Sequence, residues 1–264
     1  MKPWDIKSPN AARRPLYPFA INQDSPQSEG LEMWVPVLPD PGDQRDLKSG
    51  PSGVLTANAF IDSDIHGRHV VDLDGTGDYV SFTDALSNAS GAVNTVSMWM
   101  VDRGEDANGA MLLGSTTGTA VYWQLVSATG NIYICAGRLT GGPDLRDSLI
   151  HHVAMRSDGV DVQFYLDGVI VTGLTQQNGP LSMSTGAKTF QWGAYPAGAD
   201  WDLNGRLWDL RFYSVALSAQ VIWEMYDSPT RWDLYAPGRE RVYWFVAPSV
   251  AVAEAVLLQP VFYD

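Results

Sequence analysis

The chain has 264 residues, 45% of them hydrophobic and 18% charged, enough apolar material for one large domain or two small ones. Its net charge of −13 argues against nucleic acid and anionic membranes as partners, because both are met with basic patches. A lone Cys135 excludes an internal disulfide and a four-thiolate zinc site, and no apolar run reaches the roughly 18 residues of a membrane span.

The acids lean strongly to one type, 24 Asp against six Glu. Asp favours turns and Glu favours helices, so the ratio points to a β protein. Residues 1–30 read as an extended arm, since Pro3, Pro9, Pro15, Pro18 and Pro26 block regular structure between Trp4, Tyr17 and Phe19. The opening MKPWDIKSPNAARRPLYPF has no apolar stretch of the signal-peptide kind, so no secretory leader is expected.

From about Leu31 to Tyr213 the pattern is short strands and turns. HVVDLDGTGDYVSF predicts strand, corner and strand, with Asp72, Asp74 and Asp78 gathered at the corner. Two readings stand for these acids: a calcium loop rich in carboxylate oxygens, or a hydrogen-bonded turn. NTVSMWMV alternates Val96, Met98 and Met100 against Thr95, Ser97 and Trp99, a strand with two distinct faces. TAVYWQLVS and NIYICAG flank Ala128-Thr129-Gly130 as a hairpin, with Cys135 as a core thiol.

LIHHVAMR, VDVQFYLDG and VIVTG follow, joined by the turn pairs Asp158-Gly159 and Asp167-Gly168. The adjacent His151 and His152 invite a metal or general-base reading. On a strand, however, neighbours point to opposite faces, so the two imidazoles cannot hold one ion together. They are expected to be structural. QWGAYPAGADWDLNG then brings Trp192, Tyr195 and Trp201 close to Asp202 and Asn204. Aromatic faces beside planar acceptors suit sugars, although Trp192 and Trp201 could equally serve the core. GRLWDLRFY predicts the last strand of the set. LSAQVIWEMYDSP predicts a helix capped by Ser218, burying Val221, Ile222, Met225 and Tyr226, and ended by Pro229.

In this order, DLDGTGDYVSF, TVSMWMV, HHVAMRSDGVDVQFYLDGV and GRLWDLRFYSVALSAQVIWEMYDSP resemble the laminin-G-like group of the concanavalin A-like lectin/glucanase superfamily. The resemblance covers residues 31–229 and implies an all-β jelly roll of two antiparallel sheets, with one short C-terminal helix. The flanks resemble laminin-G-like proteins of bacteriophages and prophages. SPTRWDLYAPG is similar to that group's closing Pro-Trp-x-Leu-Phe-x-Pro motif, with Thr230-Arg231 interposed and Tyr235 replacing Phe.

Some relatives hydrolyse glycans with carboxylates roughly 5–10 Å apart, set as Glu-x-Asp-x-x-Glu on one strand. None of the six glutamates here begins such a motif, so no enzyme is expected. The resemblance instead implies a virion structural protein, assembled in the host cytoplasm. It would dock to capsid or tail subunits, or to copies of itself, through the arm (1–30) and an apolar tail (230–264), the other course for both flanks being to pack back on their own sandwich. The docking residues would be Trp4, Tyr17 and Phe19 with Trp232, Tyr235, Trp244, Phe245 and Phe262. The alternative is a lectin-like adhesion module for host glycans.

Overall fold

A computed structural model describes residues 19–39, 44–50, 52–63, 69–86, 92–104, 109–115, 123–126, 132–134, 139–176, 188–196 and 201–237. Cys135 lies outside them. In chain order the first strands are β1 (Phe19–Ile21), β2 (Leu31–Val35), β3 (Gln44–Arg45), β4 (Ser52–Thr56) and β5 (Phe60–Ser63). The predicted corner joins β6 (His69–Asp74) to β7 (Tyr79–Ala85), and β8 (Val93–Asp102) carries the alternating NTVSMWMV stretch. Next come β9 (Gly109–Gly114), β10 (Trp123–Val126), β11 (Ile132–Ile134) and β12 (Leu139–Gly141). The histidine strand is β13 (His151–Asp158), followed by β14 (Val162–Leu166), β15 (Val169–Ile170) and β16 (Thr175–Gln176). The last are β17 (Lys188–Trp192), β18 (Asn204–Tyr213) and β19 (Tyr235–Pro237), with helix α1 (Ala219–Tyr226) before β19.

Two antiparallel sheets face each other, as the sequence led us to expect. One runs β16-β12-β11-β10-β9-β17-β7-β4-β3 and the other β15-β14-β13-β8-β18-β6-β5, with β2 also on β18. The main core lies between them and follows from strand alternation. Val96, Met98 and Met100 of β8 point inward with Val153 and Met155 of β13, to meet Phe82, Leu112 and Phe190 of the facing sheet. Phe190 stacks on Phe82 at 5.0 Å and reaches Phe212 at 5.5 Å, so aromatic rings tie the layers together.

A second core covers part of the outer face of the β8–β18 sheet. Trp34, Ala154, Tyr165 and Tyr213 of the sheet are buried there by Ile222 and Met225 of α1 and by Leu234 and Tyr235. Ser218 caps α1 as its sequence predicts, accepting a hydrogen bond from Val221 N.

Of the two courses open to the flanks, residues 19–30 and 230–237 take packing on their own domain, against this second core. β1 pairs with β19, Asn22 N donates to Leu234 O, and Gln27 is buried and donates to Thr230 O. Pro26 is used where its missing N–H costs nothing, at the start of a short 3-10 turn capped by Ser25.

Candidate functional site

Strand β18 changes partner along its length, and that change divides the outer face. Asn204 to Leu207 pair with β6, while Leu210 to Tyr213 pair with β2. Between them sits an irregularity at Trp208 to Arg211, with Asp209 in the left-handed region at φ 56°. The second half of β18 is roofed by α1 and Tyr235. On its first half Arg206 still reaches solvent, its side chain 31% exposed.

On that first half, paired positions share a face. Arg206 opposes Asp72 on one side and Val101 on the other, and Trp208 opposes Trp99. Leu207 and Val71, one residue along, point into the core. A pocket of about 330 Å³ results, lined by Val70, Val101, Ile150, Trp208, Arg103 and Arg206. Its size falls in the roughly 300–1,000 Å³ range of small-ligand sites. Trp208, only 2% exposed, stacks on its cross-strand partner Trp99, 5.9 Å between centroids.

The two arginines are positioned by carboxylates. Arg103 Nη2 and Arg206 Nε both donate to Asp72 Oδ2 at 2.6 Å, and Arg206 Nη2 donates to Asp62 Oδ2 at 2.8 Å. Arg103 Nη1 also donates to Leu73 O and to Asn204 Oδ1. The side chain of Asp72 is only 9% exposed, whereas those of Arg103 and Arg206 are 33% and 31% exposed. The acid is thus spent on the two cations, while the cations still reach solvent.

The corner acids serve the turn. Asp78 Oδ1 accepts from Asn58 N and Oδ2 from Asp74 N, and Asp74 Oδ1 accepts from Thr76 N. Burial raises the pKa of Asp78, against those two backbone bonds, which lower it. Asp72 faces two guanidiniums, an arrangement in which a calcium ion would meet two positive neighbours. Among the described residues no group of three His, Cys, Asp or Glu is set to hold a metal. Asp74 and Asp78 thus make the hydrogen bonds of the corner, and Asp72 holds the two arginines.

The predicted sugar cluster separates. Trp192 is fully buried between the sheets, where its ring has no face for a ligand; this corrects its assignment. Tyr195 and Trp201 do meet, 5.3 Å between half-buried rings. Asp202 Oδ2 accepts from Gly77 N and ties this loop to the corner. Asn204 reaches the pocket through Arg103. The sequence reading missed the pocket's own residues, yet a signal exists: in GRLWDLRFY, Arg206 and Trp208 alternate with apolar Leu207, as an outward face does.

The histidines lie on opposite faces. His151 bridges Asp167 and Asp147 at 3.2 Å each. Burial works against its charged form, but hydrogen bonds and attraction to Asp167, then Asp147, outweigh it, and its pKa is raised. His152 is sealed against Trp99 in the outer layer, and burial, aided by the Arg211 charge, drives its pKa down to about 3. Neither arrangement forms a metal or nucleophile site.

Two of the predicted docking aromatics are used within the chain. Tyr235 is buried, edge-on to Trp34 at 4.6 Å, and Trp232 packs on Tyr235 at 5.3 Å. Asp209 gathers them: its carboxylate accepts from Arg211 Nη2 (2.7 Å), Trp34 Nε1 (2.8 Å) and Tyr235 OH (3.3 Å). Arg211 Nη1 then donates to Gln27 Oε1 at 2.7 Å. Tyr235 is therefore corrected from partner anchor to core residue, and half-buried Trp232 packs against that core. Phe19 stands on β1, while Trp4, Tyr17, Trp244, Phe245 and Phe262 lie outside the described residues.

Residues 74–222 match a family model described as the concanavalin A-like lectin/glucanases superfamily. No curated protein matches the sequence. Among solved structures, domain 4 of AbnA, an extracellular arabinanase from Geobacillus stearothermophilus in complex with arabinotriose, is 16% identical with a TM-score of 0.56. That match covers 74% of this chain and 97% of that one. The binding domain of Paraclostridial Mosquitocidal Protein 1 is 12% identical (TM-score 0.57), over 77% of this chain and 53% of that one. The ligand binding domain of botulinum neurotoxin serotype D, in complex with N-acetylneuraminic acid, is 13% identical (TM-score 0.54), over 76% and 52%. The chain thus spans about half of each toxin domain. At these identities the likeness is one of fold.

Proposed function

The chain belongs to the concanavalin A-like lectin/glucanases superfamily, and from that premise we propose that it is a carbohydrate-binding, non-catalytic module. The observation that supports this reading is the outer-face pocket, where half-buried Val101 and Ile150 stand beside fixed guanidinium donors, over a floor of buried Val70 and Trp208. Sugars offer apolar C–H faces and hydroxyl acceptors together, and this mixture of surfaces suits both. The solved complexes of similar fold with arabinotriose and N-acetylneuraminic acid are consistent with it. The nearest acids, Asp72 and Asp62, are engaged by arginine rather than set as a free carboxyl pair, which favours binding over hydrolysis.

A glycan array with the intact protein tests the reading. Ile150→Trp should fill the pocket and abolish the signal at an unchanged melting temperature. Binding that survives Ile150→Trp but is lost in Trp201→Ala would move the site to the Tyr195–Trp201 loop. Absence of any glycan binding would remove the reading.

A second role, attachment to a virion, is favoured by one feature of the topology. β1 and β19 are antiparallel partners with Phe19 opposite Pro237, so both flanks leave the domain side by side. Residues 1–18 and 238–264 would then grip neighbouring subunits together.

A further inference from the structure

Given the glycan-binding reading, on which this inference rests, the geometry points to a saccharide bearing an oxyanion, either a carboxylate or a sulfate ester, as the ligand of the outer-face pocket. The argument starts from unspent donors. Arg103 uses Nη1 and Nη2, and Arg206 uses Nε and Nη2. Arg103 Nε and Arg206 Nη1 make no hydrogen bond among the described residues. Both guanidiniums line the pocket, about a third exposed, instead of being enclosed by protein.

Their positions are set before any ligand arrives. A single oxygen, Asp72 Oδ2, fixes both forks, and Asn204 and Asp62 hold their outer edges. A guanidinium held in this way loses little rotamer freedom on binding, and its planar fork matches an oxyanion. A neutral hydroxyl can accept from the fork but brings no negative charge, so that bond is charge-assisted from the donor side alone. Val101 and Ile150, both half-buried, supply the apolar surface for the body of the sugar ring, with buried Val70 and Trp208 beneath them.

The overall charge sharpens the inference. At −13 the protein repels polyanions at long range, so any preference for acidic glycans has to arise from a local site. A cluster that served only to clip β6 to β18 would show no such preference.

The test uses the full chain on an array that prints carboxylated and sulfated glycans beside their carboxyl-reduced and desulfated counterparts. The expected result is retention of acidic members about tenfold or more above their neutral parents. Arg206→Lys and Arg103→Lys, which keep the charge and lose the fork, should each cut that preference. Melting curves identify a variant that has failed to fold, and wild-type selectivity decides the matter without it. Equal binding of acidic and neutral members would overturn the inference and leave glycan binding standing. Silence across the array would overturn both. Unchanged selectivity in two folded Lys variants would also overturn it.

Discussion

At the scale of single residues, the paired histidines show how strand geometry decides chemistry. Adjacent positions on β13 send His151 to a rim where two carboxylates hold it, and His152 into a sealed layer beside Trp99. The consequence is a pH dependence of opposite sign at the two sites. His152 has its pKa lowered to about 3, so below the unfolded value of 6.5 the unfolded chain takes up a proton that the folded one refuses. Stability is therefore lost as pH falls, by about 2 kcal/mol at pH 5. His151, with a raised pKa, binds its proton more tightly when folded; its contribution is full below 6.5 and disappears as pH rises through its folded value. Denaturant melts from pH 7 to 5 should show the loss in wild type and a flatter profile in His152→Leu. An unchanged slope in that variant would mean that His152 is not the group refusing the proton. The opposite-face placement was legible in HHVAMR because it needs only the period of two. The partners of each ring were not, because Asp167 and Trp99 arrive from other strands.

Elements were legible where their signal is local. α1 begins and ends within a residue or two of its predicted bounds, because Ser218 and the apolar 3-4 spacing act over a few residues. Ser218→Ala should remove the acceptor for Val221 N and lower stability by about 1 kcal/mol, while Ser218→Asp should restore most of it. Equal melting of all three proteins would show that the cap contributes nothing beyond the packing of Ile222 and Met225. β15 was read in VIVTG and spans two residues of it, whereas β16 was not legible, being a two-residue edge held by its neighbour rather than by its own pattern. β18 was read as a strand, but not as one that changes partner at Asp209. That irregularity depends on Arg211, Trp34 and Tyr235 converging on a single carboxylate, and sequence spacing does not encode it. For the same reason the pocket went unseen: Arg103, Asp72 and Arg206 come from three strands or their ends. Trp192 was misplaced because an aromatic in a strand next to a polar loop has the same local signature whether it faces a ligand or the core.

At the scale of the whole molecule, what matters is where the domain stops and its attachments begin. Apolar residues past the helix resemble a docking tail in one dimension, yet Leu234 and Tyr235 close the outer layer over Trp34 and Tyr213. Each such buried side chain is worth roughly 1.5–3 kcal/mol, and Asp209 would lose a hydrogen bond as well. Two truncations then separate folding from attachment. Ending the chain after Pro229 should unroof the layer, expose Trp34 and cost several kcal/mol, on the order of two buried side chains plus the lost bond. Ending it after Pro237 keeps β19 on β1 and should leave the melting temperature and glycan binding as in the full chain. If the flanks attach the domain to a virion, that second protein should be absent from purified particles although it is folded. Its normal incorporation would refute docking through 238–264, and equal stability of the two truncations would refute the assignment of 230–237 to the fold.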